Sequence, residues 1–136
     1  MATQQSEGSR KLAIVDDDEE FRSVSRRVAE PLGWHVSEFT NGSELIAAIG
    51  GSLRPDLIML DMVMPELDGI ETVGAIGAIS VRCPIVLVTG RLPLYTMWAR
   101  ELGQAHSLEI IDVLQKPVPL KRLRAALDPE RVIGRM

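Results

Sequence analysis

DLIMLDMVMPELDG, residues 56–69, decides how this chain folds. Its first half is an unbroken apolar run, Leu57 to Leu60, closed by Asp61. A strand with one wet face alternates apolar and polar residues, so a run without alternation reads as a central parallel strand covered on both faces. Its second half, with Pro65, Asp68 and Gly69, reads as a loop, and Gly69 suits a backbone conformation that other residues resist. A buried strand ending in a polar residue and followed by a loop recurs on either side.

Upstream, LAIV (12–15) runs into DDDEE, and Phe21, Val24, Val28 and Leu32 then recur at helical spacing. Asp18 is placed to cap that helix, Glu19 and Glu20 suit its positive end, and Gly33 stops it. WHVSEF (34–39) reads as a second strand, and Asn41 and Ser43 offer caps for a short helix carrying Leu45, Ile46 and Ile49. Downstream, Ile70 to Ile79 reads as a helix with Ile70, Val73 and Ile76 inward, where Gly74 and Gly77 permit close packing. IVLV (85–88) and IIDVL (110–114) are further strands; Pro93 opens a helix to Leu102, and the last helix spans Leu120 to Leu127. Five strands each followed by a helix predict an α/β fold with a doubly wound five-stranded parallel sheet. The order 2-1-3-4-5 suits five strands and puts the ligand crevice at the carboxyl ends of the first and third.

The 136 residues make one domain, with a core from 11 to 127, a polar leader 1–10, and residues 128–136 as a tail or the start of a linker. With 46% hydrophobic and 25% charged residues, neither disorder nor a fibrous repeat is expected. Nineteen acidic against 15 basic residues, a net charge of −4, provide no electrostatic footprint for nucleic acid. There is no signal-peptide core and no apolar run near the roughly 18 residues of a membrane span, so a soluble protein is expected. The single cysteine, Cys83, lies in the apolar stretch CPIVLV and reads as buried, which fits a reducing, cytoplasmic setting.

The strand ends carry Asp16 and Asp17, then Asp61, then Thr89, then Gln115, Lys116 and Pro117. Singly, each has an ordinary reading: a solvated helix start, a turn residue, a strand-end hydroxyl, a surface charge. Jointly they do not, because two like charges about 4 Å apart repel by roughly 4 kcal/mol at an effective dielectric of about 20. A hard divalent cation, Mg²⁺, neutralises such a crevice through carboxylate and backbone oxygens, and Lys116 adds a second positive charge. Cation, lysine and hydroxyl together make a receptor for a phosphoryl group. Neither a Walker-type phosphate loop nor Gly-x-Gly-x-x-Gly follows the first strand, so the phosphoryl group lands on the protein or on a small molecule. Asp61 is the candidate nucleophile, forming an acyl phosphate.

IVDDD (14–18), LIMLDMVMPELDG (57–69), LVTG (87–90) and LQKPV (114–118) together resemble the receiver domain of two-component response regulators, over residues 11 to 127. The resemblance implies a flavodoxin-like (α/β)5 fold and transfer of a phosphoryl group to Asp61 from a phosphohistidine on a sensor histidine kinase or histidine phosphotransfer protein. It implies Mg²⁺ held by Asp17 directly, by Asp16 mainly through water, by Asp61 and by the carbonyl of Val63. Lys116 would pair with Asp61 and then with the phosphate, beside a cis bond to Pro117, while Thr89 swings toward the phosphate; Met64, Pro65, Asp68 and Gly69 shape the loop. The implied catalysis is limited to self-phosphorylation and slow self-dephosphorylation. The switched face, built from the fourth predicted helix, the fifth strand and the last helix, would control an output domain or a second copy.

Two features depart from that pattern. Receivers often carry Tyr or Phe where this chain has Val113, and a valine cannot swing as a ring does, so the signal is expected to pass through loop and helix shifts. The span from Thr89 to Lys116 is long, with the excess around RELGQAHSLEII. Tyr95, Trp98 and Leu102 share a helical face expected to pack on the sheet, Arg91 and Val63 flank the crevice, and His35 and His106 read as surface or structural residues. A Mg²⁺-dependent phosphohydrolase with an aspartyl nucleophile is the rival from another class, but no insertion is large enough for a substrate cap. A degenerate receiver acting only as a binding module is disfavoured by the full set Asp16, Asp17, Asp61, Thr89 and Lys116.

Overall fold

The computed structural model describes residues 10–62, 69–78, 83–90, 97, 101, 104 and 109–133. The apolar runs form the middle of one parallel sheet: β1 Arg10–Val15, β2 Trp34–Phe39, β3 Leu57–Asp61, β4 Ile85–Thr89 and β5 Ile110–Gln115, in the order β2-β1-β3-β4-β5. Every residue of β3 and β4 is buried. The twofold period of a strand divides each run between two cores. Ala13, Val15, Ile58, Leu60, Ile85 and Leu87 face the helices α2 (Gly42–Gly51) and α3 (Gly69–Ala78), meeting Leu45, Ile49 and Ile76. Leu12, Ile14, Leu57, Met59, Val86 and Val88 face α1 (Glu19–Ala29) and α4 (Leu120–Ala126), meeting Ala29, Leu123 and Ala126. Both faces are dry, and for that reason these runs lack alternation.

The helix boundaries follow local chemistry. Asp18 Oδ1 accepts from the amides of Glu20 at 3.0 Å and Phe21 at 3.3 Å, capping α1 as predicted. The α-helix ends at Ala29 rather than continuing to Leu32; Pro31 has no amide to donate, and Glu30–Leu32 closes as a 3-10 turn. Gly33 stops it with φ 99°, a left-handed conformation costly for any residue with a Cβ. Asn41 Oδ1 accepts from the Glu44 amide at 2.9 Å, and Glu44 Oε1 accepts from Thr40 N at 2.7 Å, fixing the start of α2 from both sides.

Two stretches differ from the sequence reading. Residues taken as a tail or linker include a fifth helix, α5 (Pro129–Ile133), whose Val132 is 1% exposed in the same core as Leu123 and Leu127. Nearby, the Trp34 indole of β2 donates to the Leu127 carbonyl at 2.7 Å, so the first residue of an edge strand is tied to the chain after α4. In β5 the apolar run is not regular: Ile85 pairs with Ile110 but Val86 with Asp112, leaving Ile111 as the extra residue of a bulge. Ile111 and Leu114 consequently share one core although an unbroken strand would set them on opposite faces. Asp112 serves this bulge, its Oδ1 accepting from the Val113 amide at 2.8 Å while Arg122 of α4 donates to both oxygens, at 2.6 and 2.9 Å.

Cys83 is buried and burial pushes its thiol up to about 12, so it is inert, as its apolar surroundings suggested. Of the expected helix from Pro93 to Leu102, Met97 and Glu101 are described, both helical and exposed, whereas Tyr95, Trp98, Leu102 and His106 lie outside the described residues. No helix among the described residues is long and apolar enough to cross a membrane.

Candidate functional site

Register carries the strand ends to one edge of the sheet. Val15 pairs with Leu60, Asp61 with Val88 and Thr89 with Gln115. Main-chain bonds continue one residue past the strands: Asp16 N to the Phe39 carbonyl at 3.0 Å, Met62 N to Val88 at 2.9 Å, Lys116 N to Thr89 at 2.8 Å. Asp16, Asp61, Thr89 and Lys116 are thereby brought together from four different strand ends. Carboxylate oxygens of Asp16, Asp17 and Asp61 lie within 4.8 Å of one another, Asp16 and Asp61 buried and Asp17 exposed. Thr89 is buried beside them, and the Lys116–Pro117 bond is cis, as the resemblance implied. Val63, Met64, Pro65, Asp68 and Arg91 lie outside the described residues.

Among the described residues the crevice is short of positive charge. Asp16 Oδ1 accepts from the Asp18 amide at 2.8 Å, whereas Asp16 Oδ2, fully buried, has no aligned hydrogen bond and instead meets the Lys116 ammonium at 2.9 Å. The same ammonium stands 3.8 Å from Asp61 Oδ2, so the expected pairing with Asp61 is present but is the longer of the two. Burial raises the Asp16 carboxyl above its ordinary value, with a contribution from the Asp17 charge that the Asp18 amide and Lys116 do not cancel. For Lys116, burial works against the charge, yet Asp16, Asp61 and Asp18 outweigh it and hold the ammonium protonated. Among the described residues one ammonium faces three carboxylates, an acidic pocket of hard oxygen donors that fits a small divalent cation such as Mg²⁺.

Two neighbours of the site were not apparent from sequence. Arg22 donates to the Asp16 carbonyl at 2.7 Å and to Glu38 of β2 at 3.1 Å, pinning the turn that presents Asp16 and Asp17. Phe21, whose helical spacing assigned it to the core, also has its ring centroid 4.6 Å from Lys116 Nζ. The only signal for either was a position on the first turns of the helix following the acidic pair. Val113 is partly buried and packs against the core that holds Ile85 and Leu87.

Beside Lys116 a groove of about 530 Å³ opens between α1 and α4, its apolar lining made by Phe21, Val24, Pro117, Val118 and Leu123. A second hollow of about 370 Å³ shares Val24 with it and is bounded by Arg27, Arg124 and Leu120, the last 57% exposed.

A model of the response regulator receiver domain matches residues 12–128. The transcriptional regulatory protein CpxR homolog of Haemophilus influenzae is 36% identical over 119 residues, covering 86% of this chain and 48% of that protein. A protein-glutamate methylesterase/protein-glutamine glutaminase of Anaeromyxobacter dehalogenans is 34% identical over 109 residues, covering 79% of this chain and 30% of its own. The chain thus spans less than half the length of these relatives. Among solved structures, a CheY-like receiver domain protein from Methanospirillum hungatei superposes with a TM-score of 0.78 at 20% identity, covering 92% of this chain and 94% of that one, a likeness of fold. The family match takes in β2 to β5 whole, β1 from Leu12 onward and each member of the acidic crevice, and on that ground the chain belongs to the response regulator receiver domains of two-component systems.

Proposed function

We propose that Asp61 accepts a phosphoryl group from a phosphohistidine in a Mg²⁺-dependent reaction, and that the phosphorylated domain controls a partner. The observation that carries this reading is the crevice itself: three carboxylates with oxygens within 4.8 Å, Lys116 beside two of them, at the sheet edge where the first and third strands end. An Asp61 oxygen forms the new O–P bond while the donor's N–P bond breaks and the imidazole leaves. Asp16, Asp17 and Asp61 with the Val63 carbonyl would hold Mg²⁺, which would supply positive charge to offset that on the phosphoryl oxygens. Lys116 shifts its ammonium from Asp16 to the new phosphate, and the Thr89 hydroxyl donates to it. The Lys116 amide is bonded to the Thr89 carbonyl at 2.8 Å, so the ends of β4 and β5 respond together. With Val113 packed, the response is carried by movement of loops and helices rather than by a rotating ring. The phosphodonor is a sensor histidine kinase or histidine phosphotransfer protein, docked on the apolar groove between α1 and α4. The output is a further domain or a second copy engaged through β5 and its flanking helices, and the lone, inert Cys83 agrees with a cytoplasmic setting.

Incubation with a small phosphodonor and Mg²⁺, followed by intact-mass measurement, tests this. One added phosphoryl group is expected on the wild type and none on Asp61→Asn; equal labelling of both overturns Asp61 as acceptor. Rapid multiple turnover of unrelated phosphate esters would instead support the phosphohydrolase reading.

A further inference from the structure

A lysine ammonium is a compact, strongly hydrated charge on a flexible four-carbon stem, so its place in a site has to be imposed. The two carboxylates near Lys116 pull it in different directions, at 2.9 and 3.8 Å. A third boundary is the ring of Phe21, 4.6 Å from Nζ, within the range over which a ring quadrupole attracts a cation. Phe21 is itself held: its amide donates to the Asp18 cap at 3.3 Å, and its side chain packs against the core formed by α1, α4 and the sheet. The Lys116 side chain is 27% exposed, so without the ring water would have access to the ammonium from the groove that Phe21 lines.

We infer that Phe21 is a positioning residue for phosphoryl uptake: its ring holds the Lys116 ammonium between Asp16 and Asp61, where it meets the incoming group. The inference rests on the role proposed above for Lys116. Leucine would fill much of the same apolar volume but offers no face to a cation, whereas tyrosine preserves both.

The test uses acetyl phosphate at saturating Mg²⁺, because a small donor does not report docking in the groove. Phe21→Leu is expected to lower the maximal phosphorylation rate by about three- to tenfold, with the half-saturating Mg²⁺ concentration unchanged, and Phe21→Tyr to restore it to within about twofold. In a Lys116→Ala background the leucine substitution should have no further effect, since residues acting through one contact are not additive. Independently of activity, the Lys116 ε-methylene protons should resonate upfield in wild type and Phe21→Tyr, and return to their ordinary position in Phe21→Leu. An unchanged rate in Phe21→Leu, a full leucine effect without Lys116, or unshifted ε-protons in wild type each overturn the inference. A wild type that takes up no phosphoryl group overturns the acceptor reading itself; failure of this inference alone leaves the wild type labelled.

Discussion

Asp16 at the end of β1 and Asp112 in β5 are both largely buried carboxylates, and their surroundings treat them in opposite ways. Burial works against the charge of each. At Asp112 it is outweighed: Arg122 grips both oxygens, the Val113 amide donates to one, Arg131 of α5 stands 3.8 Å from the other, and the carboxyl is held below its ordinary value. At Asp16 burial prevails, because the Lys116 ammonium is shared with Asp61 and the neighbouring Asp17 adds repulsion. Two guanidinium groups for one carboxylate make a clamp joining β5, α4 and α5. Among the described residues, one ammonium for three carboxylates makes an acidic site that fits a bound cation. An acidic residue is thus read by the charge around it as much as by its burial.

The largest expected effect breaks the clamp. Asp112→Ala removes the carboxylate that both arginines and the Val113 amide share and should cost about 2–3 kcal/mol in a urea titration, while phosphorylation by a small donor survives at low denaturant. A loss under about 0.5 kcal/mol would put Asp112 with ordinary surface charges. Next, Mg²⁺ at ten times its Kd should stabilise the domain by about 1.4 kcal/mol, seen as a rise in Tm. Asp112→Ala should keep that increment and Asp17→Asn should lose most of it; a cation effect that ignores Asp17 would remove the crevice as its source. Smaller again, Asp16→Asn without Mg²⁺ should raise stability by about 1 kcal/mol, since it removes one of three repelling charges and its side-chain oxygen still accepts from the Asp18 amide. Destabilisation of similar size would mean that the Asp16 to Lys116 contact outweighs the repulsion. The smallest effect is on acid stability. Because the folded-state value of Asp112 lies below the ordinary 3.8, its contribution is complete above pH 3.8 and is lost as pH falls through the folded value. Asp112→Asn should therefore flatten the stability profile below about pH 3.8, and an unaltered slope would deny the clamp its charge dependence.

How far sequence reading reached differs between the same two regions. Around Asp16 and Asp61 local rules suffice: β1 and β3 are dry on both faces and their runs show it, Asp18 caps α1 where its spacing placed it, and the reactive residues fall at strand ends. At β5 the run IIDVL gave the strand but not its irregularity, since nothing local says that Asp112 will find Arg122 and support a bulge. The helix after α4 was missed because it is short, and Val132 has a reason to be ordered only through the core it enters.

By itself the sequence determined the order of strands and helices, the residues with the chemistry for phosphoryl capture, and where along the chain each stands. The tertiary structure alone decided that Lys116 lies nearer Asp16 than Asp61, that Phe21 covers its ammonium, and that a bulge at Ile111 brings Gln115 level with Thr89. Periodicity and capping act between residues a few positions apart and are written in the local order of side chains. The partner of a buried charge and the register between two strands are settled by which distant groups packing brings within a few ångströms, where Coulomb energy and desolvation compete.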